Sequence, residues 1–270
     1  MTLSERNTFF KAGIVFCAVC TLLIIAVFYL IIPHSLSLVV ESVKRPAISF
    51  LTSNFIAVLT CLAGSVLFSF VGMLLIHYFF ERTSSPEILY IAIFTISFSF
   101  EVIRLILPLR LIFNFPSFYV SAASRILLFA RFFGIFSLFA AGLCAAGLDV
   151  QKTRTIILAI FIAVMVITMS VPIDSLNWDT SLNMINGYAS TFIWIELIAS
   201  VTTIVSFLIT AKIRRSKEYI YVALGIMLAL IGRAILISTD NWAGPIPGIL
   251  LLSFGIGFLC SKLHKIHLWL

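Results

Sequence analysis

The chain reads as an all-α, polytopic transmembrane helix bundle of about eight spans with both termini cytoplasmic. Two observations carry the fold class. Hydrophobic residues make up 61% of the 270 and charged residues only 11%, with a mean hydropathy of +1.17. The apolar residues also fall into runs of roughly 20, the length that crosses a ~30 Å hydrocarbon core as a helix. A third observation, the uneven placement of Lys and Arg among the connections, sets the orientation.

The first expected helix covers about Ala12 to Ile32. It is long enough to span and is followed by no small-x-small cleavage site, so it reads as an uncleaved helix and not a signal peptide. The second covers about Phe50 to Phe79, the third Glu87 to Leu109 and the fourth Val120 to Gly147. The fifth runs from about Thr155 to Val171, the sixth from Gly187 to Ala211, the seventh from Glu218 to Ile237 and the eighth from Pro245 to Ser261. Breaker-rich stretches such as Arg82-Thr83-Ser84-Ser85-Pro86 and Asn241-Trp242-Ala243-Gly244-Pro245 separate them. Residues 1–270 thus form one integral membrane domain, a leading helix at about 12–32 and a seven-helix core at about 50–261. Between them, Pro33 to Ser49 suits either a short interfacial helix or an ordinary loop. The connection Ser170 to Asn186, with Trp178 and several Asn and Asp residues, suits a solvent-exposed lid.

Arg6, Lys11, Arg82, Lys152, Arg154, Lys212, Arg214, Arg215, Lys217, Lys262 and Lys265 all fall on one side of this arrangement. The other side holds only Lys44 and Arg45, beside Asp174, Asp179 and Asp240. The asymmetry points the first side to the cytoplasm of an inner or plasma membrane. The net charge of +7 is then read as orientation and contact with anionic lipid, not as a nucleic-acid surface.

Cys17, Cys20, Cys61, Cys144 and Cys260 all sit in apolar surroundings. Cys17 and Cys20 form a C-x-x-C without a second pair, which reads as small core thiols before it reads as a metal or redox site. His34, His77, His264 and His267 lie at helix ends or in the tail, and no H-E-x-x-H occurs. No metal, cofactor or catalytic residue is expected on these grounds. Asp174, Asp179 and Asp240, or His77 with Tyr78 and Glu81, would be the starting points for a membrane enzyme, but no spacing among them organises a reaction.

A faint repeat runs through the core. Ser85-Pro86-Glu87-Ile88-Leu89-Tyr90 and Ser216-Lys217-Glu218-Tyr219-Ile220-Tyr221 each open a helix that later carries an intramembrane arginine, Arg104 and Arg233. Ser69-Phe70 and Ser206-Phe207 occupy comparable places one helix earlier. Helices two to four and six to eight then read as parallel triplets with the fifth as linker, although a Ser or Pro before Glu also suits any helix start. This 3+1+3 plan resembles that of the SWEET and PQ-loop families, without the Pro-Gln pair of the latter. It is also similar to bacterial seven-helix receptor-like sensor modules. The first resemblance implies transport; the second implies sensing that relays to a cytoplasmic or membrane protein partner.

The charged residues inside the apolar runs carry the functional expectation. Arg104, Arg110, Arg125, Arg131 and Arg233 all fall in the outer half, with Glu101 and Glu196 as the only acids among them. Each ionised group at that depth costs at least ~2.5 kcal/mol, so each needs a partner, a cavity or a function. Ser97, Glu101, Arg104 and Pro108 share one helix face, with Glu101 and Arg104 spaced to pair. Gly134, beside Arg131, permits close helix approach. Arg110 and Arg125 are near enough to the surface to snorkel. Arg131 and one of Arg104 and Arg233 then remain without an acid. One reading makes the charges a staple between helices. The other makes Glu101, Arg104, Arg125, Arg131, Glu196 and Arg233 an outward-facing site for a small anionic molecule or lipid headgroup, serving a receptor-like sensor or an anion transporter.

Overall fold

A computed structural model describes residues 3–31, 55–81, 85–147, 153–179, 181–239 and 241–268. The segment Pro33 to Ser49, Arg82, Lys152 and Asp240 fall outside the described residues, as do the side chains of Asp174 and Trp178. Eight helices long and apolar enough to cross a membrane account for most of the remainder, the architecture of a multi-pass membrane protein. In chain order they are α1 (Leu3–Ile31), α2 (Phe55–Phe80), a composite α3, α4 (Ser117–Ala145), α5 (Thr153–Ser170), α6 (Ala189–Ile213), α7 (Glu218–Ser238) and α8 (Pro245–Leu268). The departure from an all-helical fold is a two-stranded antiparallel hairpin, β1 (Ile173–Trp178) and β2 (Met184–Asn186), between α5 and α6.

The composite α3 is α-helical over Pro86–Ser97, 3₁₀ over Phe98–Leu105 and α-helical again over Ile106–Phe113. Runs of 3₁₀ beyond three or four residues are uncommon because their hydrogen bonds are poorer. Local chemistry supports this one at both ends. At its start the Ser97 hydroxyl donates to the Phe94 carbonyl and the Ser69 hydroxyl of α2 donates to the Thr95 carbonyl, competing for acceptors that an α-turn would use. At its end Pro108 has no N–H and its ring crowds the carbonyl of Arg104, which an α-helix would require. The irregularity that Pro108 imposes therefore lies upstream of it, in the tightened stretch Phe98–Leu105.

The most enclosed span is α3, with 83% of its apolar window buried, whereas α5 and α6 reach only 17%. Around it the helices pair in a closed ring: α2 on α3, α3 on α4, α4 on α6, α6 on α7, α7 on α8, and α8 back on α2. Exchanging α2 with α6, α3 with α7 and α4 with α8 leaves that order unchanged. The leading α1 lies outside the ring on α2 and α3, and α5 lies outside it on α4. Between α7 and α8 the backbones nearly touch: a Cβ at Gly232 would sit 2.5 Å from the Leu252 nitrogen. Only glycine permits that approach.

The basic connections meet at one end of the bundle. Arg6 donates to the Phe80 carbonyl at 2.7 Å, Arg154 pairs with Glu5 at 2.6 Å, and Glu218 pairs with Lys262 and Lys265 at 3.2 and 3.0 Å. The rings of Phe79 and Phe80 pack on His264, joining the ends of α2 and α8. All five cysteines are free and buried. Cys17 joins Ser69 and Ser99 in a thiol–hydroxyl cluster linking α1, α2 and α3, with the Ser99 hydroxyl 3.1 Å from the sulfur and 2.8 Å from Ser69 Oγ.

Candidate functional site

Three consecutive 3₁₀ positions would stand at about 120° to one another, so residues three apart eclipse. This places Arg104 directly over Glu101, and Arg104 Nη1 donates to Glu101 Oε2 at 3.3 Å. From α4, Arg131 takes the same carboxylate in a fork: Nε donates to Oε1 and Nη2 to Oε2, both at 2.7 Å. Gly134 sets this distance. A Cβ there would lie 2.4 Å from Ser97 Oγ, so glycine lets α4 close on α3 one turn from the ion pair. Glu101 and Arg104 are buried, 3% and 2% exposed. The Arg131 side chain is 13% exposed.

A second pair lies in the other triplet. Arg233 on α7 donates to Glu196 on α6 through Nη2 and Nη1, at 3.1 and 3.3 Å. Gly232 beside it holds α8 close. The Arg233 side chain is buried, but that of Glu196 is 34% exposed and stands at the edge of the bundle. The two pairs form one electrostatic layer: Arg233 acts on Glu101, and Glu196 on Arg131.

Sequence reasoning left Arg131 without an acid. The structure instead gives Arg131 the best pairing of all and makes Arg104 the surplus cation. The reason is geometric: the guanidinium fork of Arg131 meets the carboxylate in plane from the neighbouring helix, whereas Arg104 reaches a single oxygen from its own. Arg104 Nε and Nη2 are enclosed and have no hydrogen-bond partner among the described residues. Arg125 is half-buried, with its Nε likewise enclosed and unpartnered, and it joins neither pair. Arg110 is half-buried near the end of α3 and is engaged. Thr203 turns its hydroxyl to the Ala199 carbonyl of its own helix.

Residues of the hairpin turn, of which the sequence singled out only Asp179, complete the site. Asn183 Oδ1 accepts from Arg131 Nη2 at 2.9 Å, while its Nδ2 donates to Ser181 Oγ at 2.8 Å and to the Ile237 carbonyl of α7 at 3.4 Å. Ser181 in turn donates to Asp179 Oδ2 at 3.0 Å. The expected lid is thus a hairpin turn packed into the bundle, not an exposed loop: Ser181 and Leu182 are each 1% exposed. The turn closes through Asp179 N to Asn183 O at 2.8 Å and Leu182 N to Asp179 O at 3.0 Å. Leu182 adopts φ 60°, the left-handed position of a three-residue hairpin loop where glycine is usual. Its buried side chain sits among the apolar residues of α1, α2 and α3, which holds the strained turn in place. The polar run from Asp179 to Asn183 was the only sequence signal for this, and it reads equally as a solvated loop.

Beneath the turn a cavity of about 20 Å³ is lined by Arg104, Arg131, Ser124, Asn183 and Asn186 with leucines of α3 and α4. That is room for one water or one monatomic ion. In the two helix pairs Arg104, Arg131 and Arg233 face Glu101 and Glu196, one guanidinium more than the carboxylates, beside a cavity with polar walls. The Asp179 carboxylate is joined to Arg131 through Ser181 and Asn183. Such an arrangement can bind an anionic atom through charge-assisted hydrogen bonds, and a larger group only if the hairpin moves. Comparison with protein-family models and with curated proteins finds no match to this chain.

Proposed function

We propose that the protein recognises a small anionic group, the carboxylate or phosphate of a solute or lipid headgroup, at Arg104 and Arg131 beneath the hairpin. It does so as a receptor-like module of the inner or plasma membrane, of bacterial type. The single observation that carries the reading is Arg104: a buried cation with two unpartnered donors, lining a cavity in a layer already short of negative charge. An unpaired charge in a low-dielectric interior is expensive, and a bound anion relieves it. The positive-inside rule turns the basic end to the cytoplasm, with both termini, and the hairpin outward.

Asn183 supports sensing in particular. It ties Arg131 of one triplet to the Ile237 carbonyl of the other, so an anion that competes for Arg131 loosens a bond between the halves. The output then passes to a protein partner, for which the basic stretch Lys212 to Lys217 is the natural contact. One observation favours a second reading, anion transport: α3, buried in a ring of six helices, is broken at the depth of the charged layer, and broken helices carry the ion and substrate sites of repeat transporters.

Thermal stability of purified protein with inorganic phosphate, acetate, or nanodiscs containing phosphatidylglycerol tests the reading. An anion that binds only the folded state raises the melting temperature, and the Arg104→Gln variant loses that response. Phosphate or acetate acting in detergent identifies a soluble ligand, and a response only in anionic nanodiscs identifies a headgroup. Failure of every anion to shift the wild type overturns the reading. Uptake of labelled anion into proteoliposomes separates the two functions, since a carrier accumulates label and a receptor does not.

A further inference from the structure

We propose that the groove between α1 and α5 is a second, separate site, holding one acyl chain of an anionic phospholipid of the basic-end leaflet with its headgroup on Arg154. The helix α5 packs substantially on α4 alone and α1 on α2 and α3, leaving a slot of about 530 Å³ between them. Its walls are apolar side chains of α3, α4 and α5, among them Ile93, Phe100, Phe133 and Phe161, with Phe9 and Arg154 at its mouth. The hydroxyl of Ser97, its other polar lining group, is satisfied by the Phe94 carbonyl.

Three arguments select the occupant. The slot follows α3 from Leu89 to Phe100, roughly 17 Å at α and 3₁₀ rises, close to one leaflet of a ~30 Å core. The slot is lined almost wholly by apolar side chains and lies at bilayer depth, where a lipid acyl chain is the solvent that meets it. At the mouth the Arg154 side chain is 70% exposed and spends only Nη2 on Glu5, and the adjacent sequence carries Arg6, Lys11, Lys152 and Arg154 against Glu5 and Asp149. That excess of positive charge favours an anionic head over a zwitterionic one. The pair of Glu5 and Arg154 also joins α1 to α5 across the mouth, so a headgroup there reinforces that bridge.

Native mass spectrometry of the purified protein, followed by lipid extraction, tests the assignment. Wild type retains about one phosphatidylglycerol-class lipid per chain. Arg154→Gln lowers its retention relative to phosphatidylcholine by about fivefold, the weight of one basic residue at an anionic surface. Ile157→Trp fills the slot and removes the retained lipid while the protein still melts cooperatively, and Glu5→Gln frees Arg154 and strengthens the anionic preference. Arg154→Gln leaves the anion-induced stabilisation that depends on Arg104 unchanged, which keeps this site distinct from the one beneath the hairpin. Equal retention of both lipids by wild type and Arg154→Gln, or retention undiminished in Ile157→Trp, overturns the proposal.

Discussion

Replacing Glu101 by Gln isolates the electrostatics of the charged layer, because the substitution keeps the shape and deletes only the charge. The carboxylate accepts two 2.7 Å bonds from Arg131 and one of 3.3 Å from Arg104, and its loss leaves both guanidiniums buried without a counterion. Removing one partner of a buried ion pair costs about 3–5 kcal/mol. For a chain of this size that is a fall of roughly 6–20 °C in melting temperature. The two arginines respond unequally. Arg131→Met removes the fork but leaves Glu101 balanced by Arg104, so its loss is smaller. Arg104→Met removes the surplus charge together with one long bond and is the mildest of the three. The expected order of damage is therefore Glu101→Gln, then Arg131→Met, then Arg104→Met. Melting curves of the purified variants, followed by light scattering in one detergent, read the order directly. If Arg104→Met is the most damaging, or if Glu101→Gln melts within about 1 °C of wild type, the charge reasoning fails.

Gly134→Val drives a side chain into Ser97, separates α3 from α4 and lengthens the Glu101–Arg131 fork; it should cost about 1–3 kcal/mol, measured as a drop in melting temperature, while Gly134→Ser costs less. At Leu182, glycine relieves about 1 kcal/mol of left-handed strain but loses about 1.5–3 kcal/mol of burial, whereas alanine loses the burial and keeps the strain. Leu182→Ala should thus be the less stable of the two, and the reverse order in a melting experiment would mean that the turn is not strained. Single cysteines at Lys152 and Lys212 should resist an impermeant thiol reagent in whole cells while those at Trp178 and Trp242 react, on a background without the native cysteines. Labelling at 152 but not 178 would invert the orientation.

The spans were legible because transfer of apolar side chains into hydrocarbon needs no knowledge of neighbours. Helix ends were less so. The first helix begins at Leu3 and not near Ala12, since Arg6 and Asn7 hydrogen-bond carbonyls at the end of α2 and hold two polar turns that hydropathy alone would leave unwound. The eighth continues past Ser261 to Leu268 because Lys262 and Lys265 find Glu218. Within the site, the Glu101–Arg104 pair could be read from spacing, and Gly134 from its place beside Arg131. The fork between Glu101 and Arg131 could not, since it depends on how α4 is rotated against α3. Asn183 was invisible for a related reason: its role comes from a buried turn whose register is fixed by Leu182, and nothing in Asp179 to Asn183 distinguishes a buried turn from a wet one.

The 3₁₀ stretch in α3 has the properties of a screw thread. Each residue that returns to α geometry shortens the rod by about 0.5 Å and unwinds it by about 20°. Conversion of all eight, Phe98 to Leu105, would draw the two ends of α3 together by about 4 Å and turn one against the other by about 160°. Glu101 lies midway along the thread, so even a partial conversion of three or four residues swings its carboxylate out of the plane of the Arg131 fork. Pitch and ion pairing are thereby coupled in one helix: the fork between Glu101 and Arg131 is seated on the 3₁₀ pitch of the stretch that carries the carboxylate.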